Sequence, residues 1–227
     1  MESRLSIVIP ALNAAERLGA CLRAAGGTGM PVSERIVVDG GSADATVAVA
    51  RAEGARVVIA PRGRGSQLAA GAASAAGDWL LFLHADTVLS PGWSEAVVAF
   101  IRDPGNLRRA AAFRFVLDDP DPAARRLEAL VAWRCRAFGL PYGDQGLLIT
   151  RAFYDALGGF RPLALYEDVD IVRRIGRSRM TMLPAAAVTS ADRYRRTGYL
   201  LRPLRNLFCL GLYFAGVSPR LLVRLYD

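Results

Sequence analysis

Two short stretches of this chain carry residue types whose spacing could do chemistry. The first, His84-Ala85-Asp86-Thr87, ends a very apolar segment running from Trp79 to Leu83. A carboxylate at the end of such a strand suits a divalent cation, because hard cations take oxygen ligands and leave positions open for phosphates. His84 stands two residues before Asp86 and so falls on the same side of an extended segment. It could contact the metal, a phosphate or a sugar; alternatively this single histidine merely closes a strand end. The second stretch, Tyr166-Glu167-Asp168-Val169-Asp170, lies just before Arg173 and Arg174. Its carboxylates repel one another and raise at least one pKa, which suits a general base. The same stretch also reads as the acidic start of a helix, favoured by the helix dipole and paired with the arginines that follow. Spacing alone leaves both readings open.

The elements that must position these residues alternate regularly in the first hundred positions. Leu5 to Ile9, a continuous apolar run ended by proline, reads as a buried parallel strand, and Arg35 to Val38, Arg56 to Ala60 and the very apolar Trp79 to Leu83 read as three further strands. Between them the pattern predicts helices over Glu16 to Ala25, over Ala45 to Glu53 with Asp44 as cap, and over Ser66 to Ala76 with Ser66 as cap. Ser90-Pro91 opens another helix. This alternation predicts an α/β fold with a mostly parallel sheet covered on both faces. Beyond residue 105 the rhythm loosens. Strands are expected at Ala110 to Leu117 and Gly146 to Thr150, and one or two within Thr181 to Ser190. Helices are expected over Pro122 to Phe138, before Gly158-Gly159, over Asp168 to Ile175, and through a leucine-rich tail from Gly198 to Tyr226. The reading is one domain over residues 1–197 with an amphipathic helical tail over 198–227.

Ligands of parallel α/β sheets bind beyond the carboxyl ends of the strands. Here those ends carry Pro10-Ala-Leu-Asn13, Asp39-Gly-Gly41-Ser42-Ala-Asp44, Pro61-Arg-Gly-Arg64-Gly65 and His84-Ala-Asp86-Thr87, all small, polar or charged. A dinucleotide fold would need glycines in the first turn, and the first turn lacks them. A Walker A loop is absent from the sequence. An aspartyl-phosphate phosphatase would place its nucleophilic aspartate where His84 stands, and imidazole cannot form the acyl-phosphate.

Composition narrows the class further. The 227 residues are 52% hydrophobic and 22% charged, with a net charge of +8 carried by arginine alone, since there is no lysine. That excludes disorder and suits anionic partners such as nucleotides, sugar-phosphates or an acidic membrane face. Nucleic acid is not expected, because no aromatic stacking platform accompanies the charge. Cys21, Cys135 and Cys209 are odd in number and widely spaced, which fits neither a disulfide framework nor a zinc cluster. With no signal-peptide core at the start, and a longest apolar run of about half the ~20 residues needed to span a bilayer, a cytoplasmic protein is expected.

Taken together, the motifs resemble the inverting glycosyltransferases of family 2, which have the GT-A fold. The matching stretches are Ser6-Ile-Val-Ile-Pro10-Ala-Leu-Asn13, Val37-Val-Asp39-Gly-Gly-Ser42-Ala-Asp44-Ala-Thr46, Gly77-Asp78-Trp-Leu-Leu-Phe-Leu-His84-Ala-Asp86 and Glu167-Asp168. The likeness runs from residue 4 to about 195. A narrower likeness is to a bacterial subgroup associated with arsenosugar biosynthesis or with radical-SAM and selenium-linked domains. Gly63-Arg64-Gly-Ser-Gln67, the His84-Ala-Asp86 form, Gly143-Asp144-Gln145-Gly146 and Thr189-Ser190 carry it.

The resemblance implies roles. Pro10, Asn13, Glu16, Gly41 and Ala85 would lie against the nucleotide, and Asp39 would accept from the base of a UDP-sugar donor. Arg64 and Gln67 would sit near the ribose or diphosphate. Asp86, with His84 beside it, would bind Mn2+ or Mg2+. Asp168 would be the general base, supported by Glu167, while Asp144, Gln145 and Tyr166 would border the sugar or the acceptor. Two departures from the family pattern stand out: His84 replaces the first aspartate of Asp-x-Asp, and Asp39-Gly40 replaces a paired Asp-Asp. The implied chemistry is a single displacement, in which an acceptor hydroxyl attacks the anomeric carbon as the nucleoside diphosphate leaves.

Arg193 and Arg195 follow the last strand and could close over a diphosphate as a lid, or form an exposed basic loop. The tail interleaves Leu200, Leu204, Leu207, Phe208, Leu221, Leu222 and Leu225 with Arg202, Arg205, Arg220 and Arg224. It could pack on the core, join a second subunit, or lie on an anionic membrane to reach a lipid-linked acceptor. The competing enzyme reading is nucleotidyl transfer, whose first loop would be glycine-rich with a basic residue. The competing non-enzymatic reading is a basic peripheral-membrane or RNA-binding protein.

Overall fold

The run Leu-Ser-Ile-Val-Ile has no polar face to give to water, and in a computed structural model of the chain it lies inside the sheet as β1 (Leu5–Ala11). The structure describes residues 3–26, 32–163, 165–199, 201–219 and 221–222. After β1 come α1 (Ala15–Ala24), β2 (Val32–Asp39), α2 (Thr46–Ala52), β3 (Arg56–Ile59), α3 (Arg64–Ser74), β4 (Trp79–Phe82), β5 (Thr87–Leu89) and α4 (Trp93–Arg102). The second half holds β6 (Ala110–Leu117), α5 (Pro122–Phe138), β7 (Leu147–Thr150), α6 (Arg151–Ala156), α7 (Glu167–Ile175), β8 (Met180–Thr189), α8 (Asp192–Thr197) and α9 (Leu201–Phe214).

The strands form one sheet in the order β3-β2-β1-β4-β7-β6-β8-β5. β1 pairs in parallel with β2 and β4, and β3 continues the parallel half. Alternate side chains of β1 feed two cores. Leu5, Ile7 and Ile9 meet Leu18 and Leu22 of α1 and Trp93 and Val97 of α4, whereas Val8 meets Leu68 of α3 and Ile171 of α7 on the other face. This is the expected α/β architecture, mostly parallel with helices on both sides. The second half adds antiparallel pairs, β4 with β7, β7 with β6 and β8 with β5.

Three local expectations are corrected. α3 begins at Arg64 rather than Ser66, because Gly63 takes the cap position with φ +135. The three residues of β5 are too few to show a strand period and were not anticipated. Residues 193–196 form part of α8 rather than a loop.

α3 approaches the sheet closely enough that its middle must be glycine. A Cβ at Gly71 would collide with Val8 Cγ1 and lie 2.8 Å from Val38 Cγ2. Gly71→Ala is expected to lower the unfolding free energy by about 1–3 kcal/mol in urea titration. Gly211→Ala in α9, where nothing lies within 4 Å, should be neutral or stabilise by up to about 1 kcal/mol.

Candidate active site

The strand order reverses between β1 and β4, so a crevice opens beyond their carboxyl ends, where α/β sheets bind ligands. The loops after β1 and β2 form one wall and are laced together. Asn13 takes φ +49; its amide donates to Ser42 Oγ at 2.9 Å, and its Oδ1 accepts from the Ala43 amide at 2.8 Å. The amides of Ala14 and Ala15 donate to Thr46 Oγ1 and Asp44 Oδ2 at 2.7 and 3.1 Å. Asp39 is buried at the end of β2, and its carboxylate accepts from the Gly41 and Ser42 amides and from the Ser42 hydroxyl. The carboxylate thus shapes its own turn and leaves little capacity for a base. Pro10 is half-buried at the rim of this wall, and Glu16 is exposed.

Gln67 is buried, and its amide donates to Ala11 O and Val38 O, both at 2.8 Å. It ties β1 to β2, and both of its amide hydrogens are spent there. One turn earlier, Arg64 reaches across to α7, with Nη1 3.4 Å from Glu167 Oε1.

The opposite wall gathers the carboxylates. Asp168 is half-buried in the first turn of α7; its Oδ2 accepts from the Gly143 amide and its Oδ1 from the Val169 amide, both at 2.7 Å. A Cβ on Gly143 would lie 2.6 Å from His84 Nε2 and 3.2 Å from Asp168 Oδ2. The imidazole and the carboxylate therefore flank the same glycine. Phe82, His84, Tyr142, Gly143, Glu167 and Asp168 line a cleft here. Ala85 and Asp86 follow His84 in a turn at its edge, both half-buried.

Burial and the neighbouring Asp168 push Glu167 up to about 7, against the opposing pull of Arg64. Asp144 is pushed to about 6 by burial, with Asp168 and Asp86 adding repulsion and Arg134 opposing it. Its Oδ1 is sealed from solvent without a hydrogen-bond partner. Asp170 belongs elsewhere: it pairs with Arg161 and Arg174 at 3.1 and 2.5 Å and anchors α7. Asp170 thus follows the helix-start reading, whereas Glu167 and Asp168 line the cleft. Tyr166, just before the pair, is buried at φ +66 and packs on Tyr213 of α9, ring centroids 5.0 Å apart.

Other expected site residues serve the scaffold. Gln145 is buried; its amide donates to Phe113 O at 3.0 Å, and its Oε1 accepts from Arg134 and the Tyr142 amide. Arg195 is held by Asp119, Asp192 and the Asp118 carbonyl at 2.7, 3.1 and 2.8 Å, so it is tied to the turn after β6 rather than poised as a lid. The Arg193 side chain lies outside the described residues, as do Leu200, Arg220, Arg224 and Leu225 and the side chain of Arg202. The inner side of α9 packs on the core, with Cys209 and Leu210 clustered with Tyr166 and Val169. Arg134, which the sequence did not single out, lies 3.4 Å over the Tyr142 ring, and its charge opposes the upward shift of Asp144. As an ordinary position within α5 it gave no signal.

The fold is a GT-A-like α/β fold, a mostly parallel eight-stranded sheet flanked by helices. The description "Glycosyl transferase family 2" matches residues 6–161, and the chain belongs to that family. It is therefore a glycosyltransferase. Among solved structures, it is similar to glucosyl-3-phosphoglycerate synthase from Mycobacterium tuberculosis. The complex of that enzyme with Mn2+, UDP and glucosyl-3-phosphoglycerate matches at 22% identity and TM-score 0.59, over 83% of this chain and 70% of that one. Its complex with Mg2+ and UDP matches at 21% identity and TM-score 0.58, with the same coverage. No curated protein matches the chain.

The raised carboxyl of Glu167 has a stability consequence. Its folded value of about 7 lies above the ordinary 4.5. Between those two values the folded chain holds a proton that the unfolded chain releases, so stability falls as pH rises through that window. Glu167→Gln should flatten this fall and raise the melting temperature at about pH 8 above that of the unsubstituted protein, as read by differential scanning calorimetry.

Proposed function

We propose that the protein transfers a glycosyl group from a nucleoside-diphosphate sugar, a UDP-sugar, to an acceptor hydroxyl with inversion, Asp168 acting as general base. The observation that carries this reading is the setting of Asp168. Two amide donors fix its carboxylate at the mouth of a cleft, beside His84 and across the crevice from the β1 and β2 loops. A carboxylate so held is oriented toward a bound hydroxyl rather than free to rotate. The UDP donor draws support from the fold shared with an enzyme whose complexes contain UDP-glucose and Mn2+.

In the displacement, the acceptor O–H proton passes to Asp168 as the oxygen bonds to the anomeric carbon. The bond from that carbon to the diphosphate oxygen breaks, and the electron pair leaves with the diphosphate. Arg64, at the first turn of α3, offers a cation to that growing charge, and the loss of one such preorganised donor typically costs about 3–4 kcal/mol. Glu167, near neutrality in its titration, holds Arg64 without fully neutralising it.

A divalent cation fits the donor chemistry, since Asp86 and Asp144 offer oxygen ligands, the charge of Asp86 acts on Asp144, and Asp144 Oδ1 is buried without a partner. Asp86, with His84 beside it, would hold the ion. When bound, the ion would neutralise the diphosphate charge. Among the described residues no three His, Cys, Asp or Glu side chains converge tightly enough to hold an ion alone, so donor oxygens would complete its shell. The cytoplasmic expectation rests on the sequence; for its part, no helix of the described residues is long and apolar enough to cross a membrane.

Asp168→Asn should reduce turnover by at least about a hundredfold, the scale of general-base catalysis, while leaving UDP affinity nearly unchanged in calorimetry; undiminished turnover removes Asp168 as base. Asp86→Ala should abolish the difference in UDP-induced thermal stabilisation between Mn2+ and EDTA. Stabilisation by GDP or CMP in place of UDP would overturn the donor.

A further inference from the structure

The geometry points to the outer face of α9 as a docking surface for an anionic lipid bilayer. Leu204, Leu207 and Phe208 recur at helical spacing and are 61%, 65% and 62% exposed. Phe214, at the end of the helix, and Leu221 beyond it are also exposed. The opposite side of the helix is already satisfied, with Cys209 and Leu210 buried against Tyr166 and Val169. The exposed stripe is therefore surplus to folding of the described chain.

Charge decides what covers it. From Arg193 to the end the sequence has seven arginines and a single acid, Asp227. A second copy would bring its own arginine-rich, acid-poor segment against this one. A bilayer of anionic lipid would instead attract a segment of that charge while taking the leucines and Phe208 into its acyl boundary. The 14 residues of α9 are too few to span a bilayer, so the helix lies along the surface. It is fastened to the catalytic helix by Tyr213 on Tyr166 at 5.0 Å and by Arg173 over the Phe214 ring at 4.9 Å. Docking would hold the cleft at the membrane surface, within reach of an acceptor carried there. The surface itself does not depend on which nucleotide is bound.

The test is flotation of the full chain, without nucleotide, with vesicles of pure phosphatidylcholine and with vesicles of equal parts phosphatidylcholine and phosphatidylglycerol. Binding is expected to the mixed vesicles only, and it should weaken in high salt. Leu207→Asn combined with Phe208→Asn should lower that binding at least tenfold while far-UV circular dichroism and UDP-induced stabilisation stay unchanged. Leu204→Asn serves as a second, milder variant with a smaller loss. No binding to mixed vesicles, or undiminished binding by both variants, overturns the proposal. So does a dimer in analytical ultracentrifugation that the double variant dissociates, which would assign the face to a second copy. UDP binding is read separately, so failure here leaves the donor reading standing, and the converse holds.

Discussion

The amide of Gly143 donates to Asp168 Oδ2 at 2.7 Å, in a space where a Cβ would press on His84. That contact requires a bare backbone between an imidazole and a carboxylate, and the surrounding structure is organised to deliver one. Gln145 fixes the far end of the same turn through Phe113 O, Arg134 and the Tyr142 amide. β4 delivers His84, and the first turn of α7 delivers Asp168. Asp86, Asp144 and Glu167 are then gathered around it at an electrostatic cost, visible in the upward shifts of Asp144 and Glu167. A cluster of this kind is stable only where protons, arginines or a cation compensate it. Arg64 and Arg134 supply part of that compensation.

The first half of the fold was legible because buried parallel strands announce themselves as apolar runs; β1 and β4 fall where those runs are, and β2 reaches three residues further back, through the polar Ser33 and Glu34, to Val32. The second half was less so. β5 is three residues long, and the antiparallel returns of β7 and β6 depend on long-range pairing that no local period encodes. At the site, residue types at strand ends pointed to loops that the structure laces together, but not to what each side chain does there. Asp39 and Gln67 were expected to face a ligand; in the structure Asp39 accepts from the amides and the hydroxyl of its own turn, and Gln67 donates to the carbonyls of Ala11 and Val38. A sequence shows that a polar residue stands at a strand end. Whether its hydrogen bonds go inward or outward is decided by neighbours distant in the chain.

The comparisons support the family and leave the narrower sequence likeness unsupported. Of the motifs that carry it, Gln67 bridges β1 and β2, Gln145 is buried in the turn that presents Gly143, and Thr189 donates to the Asp144 carbonyl at 3.3 Å. These residues hold the shape of the site, so they can be shared among enzymes whose acceptors differ. Under the proposed reaction, acceptor choice would fall to what lines the cleft, where Tyr142, Glu167 and Asp168 stand.

Tyr166 joins the site to the tail. A non-glycine residue in the left-handed region costs of order 1 kcal/mol or more and persists only where its surroundings impose it. Here the imposition comes from Tyr213, Cys209 and Leu210 of the tail, packed on the buried ring. The strained turn in turn sets the direction in which α7 begins, and Glu167 and Asp168 are its first two residues. The tail is thus part of what aims the carboxylates, although it lies beyond the 6–161 stretch that carries the family match. Loss of the packing on Tyr166 would let that turn relax and release Asp168 from the geometry that the Gly143 amide holds, even with every residue lining the cleft unchanged.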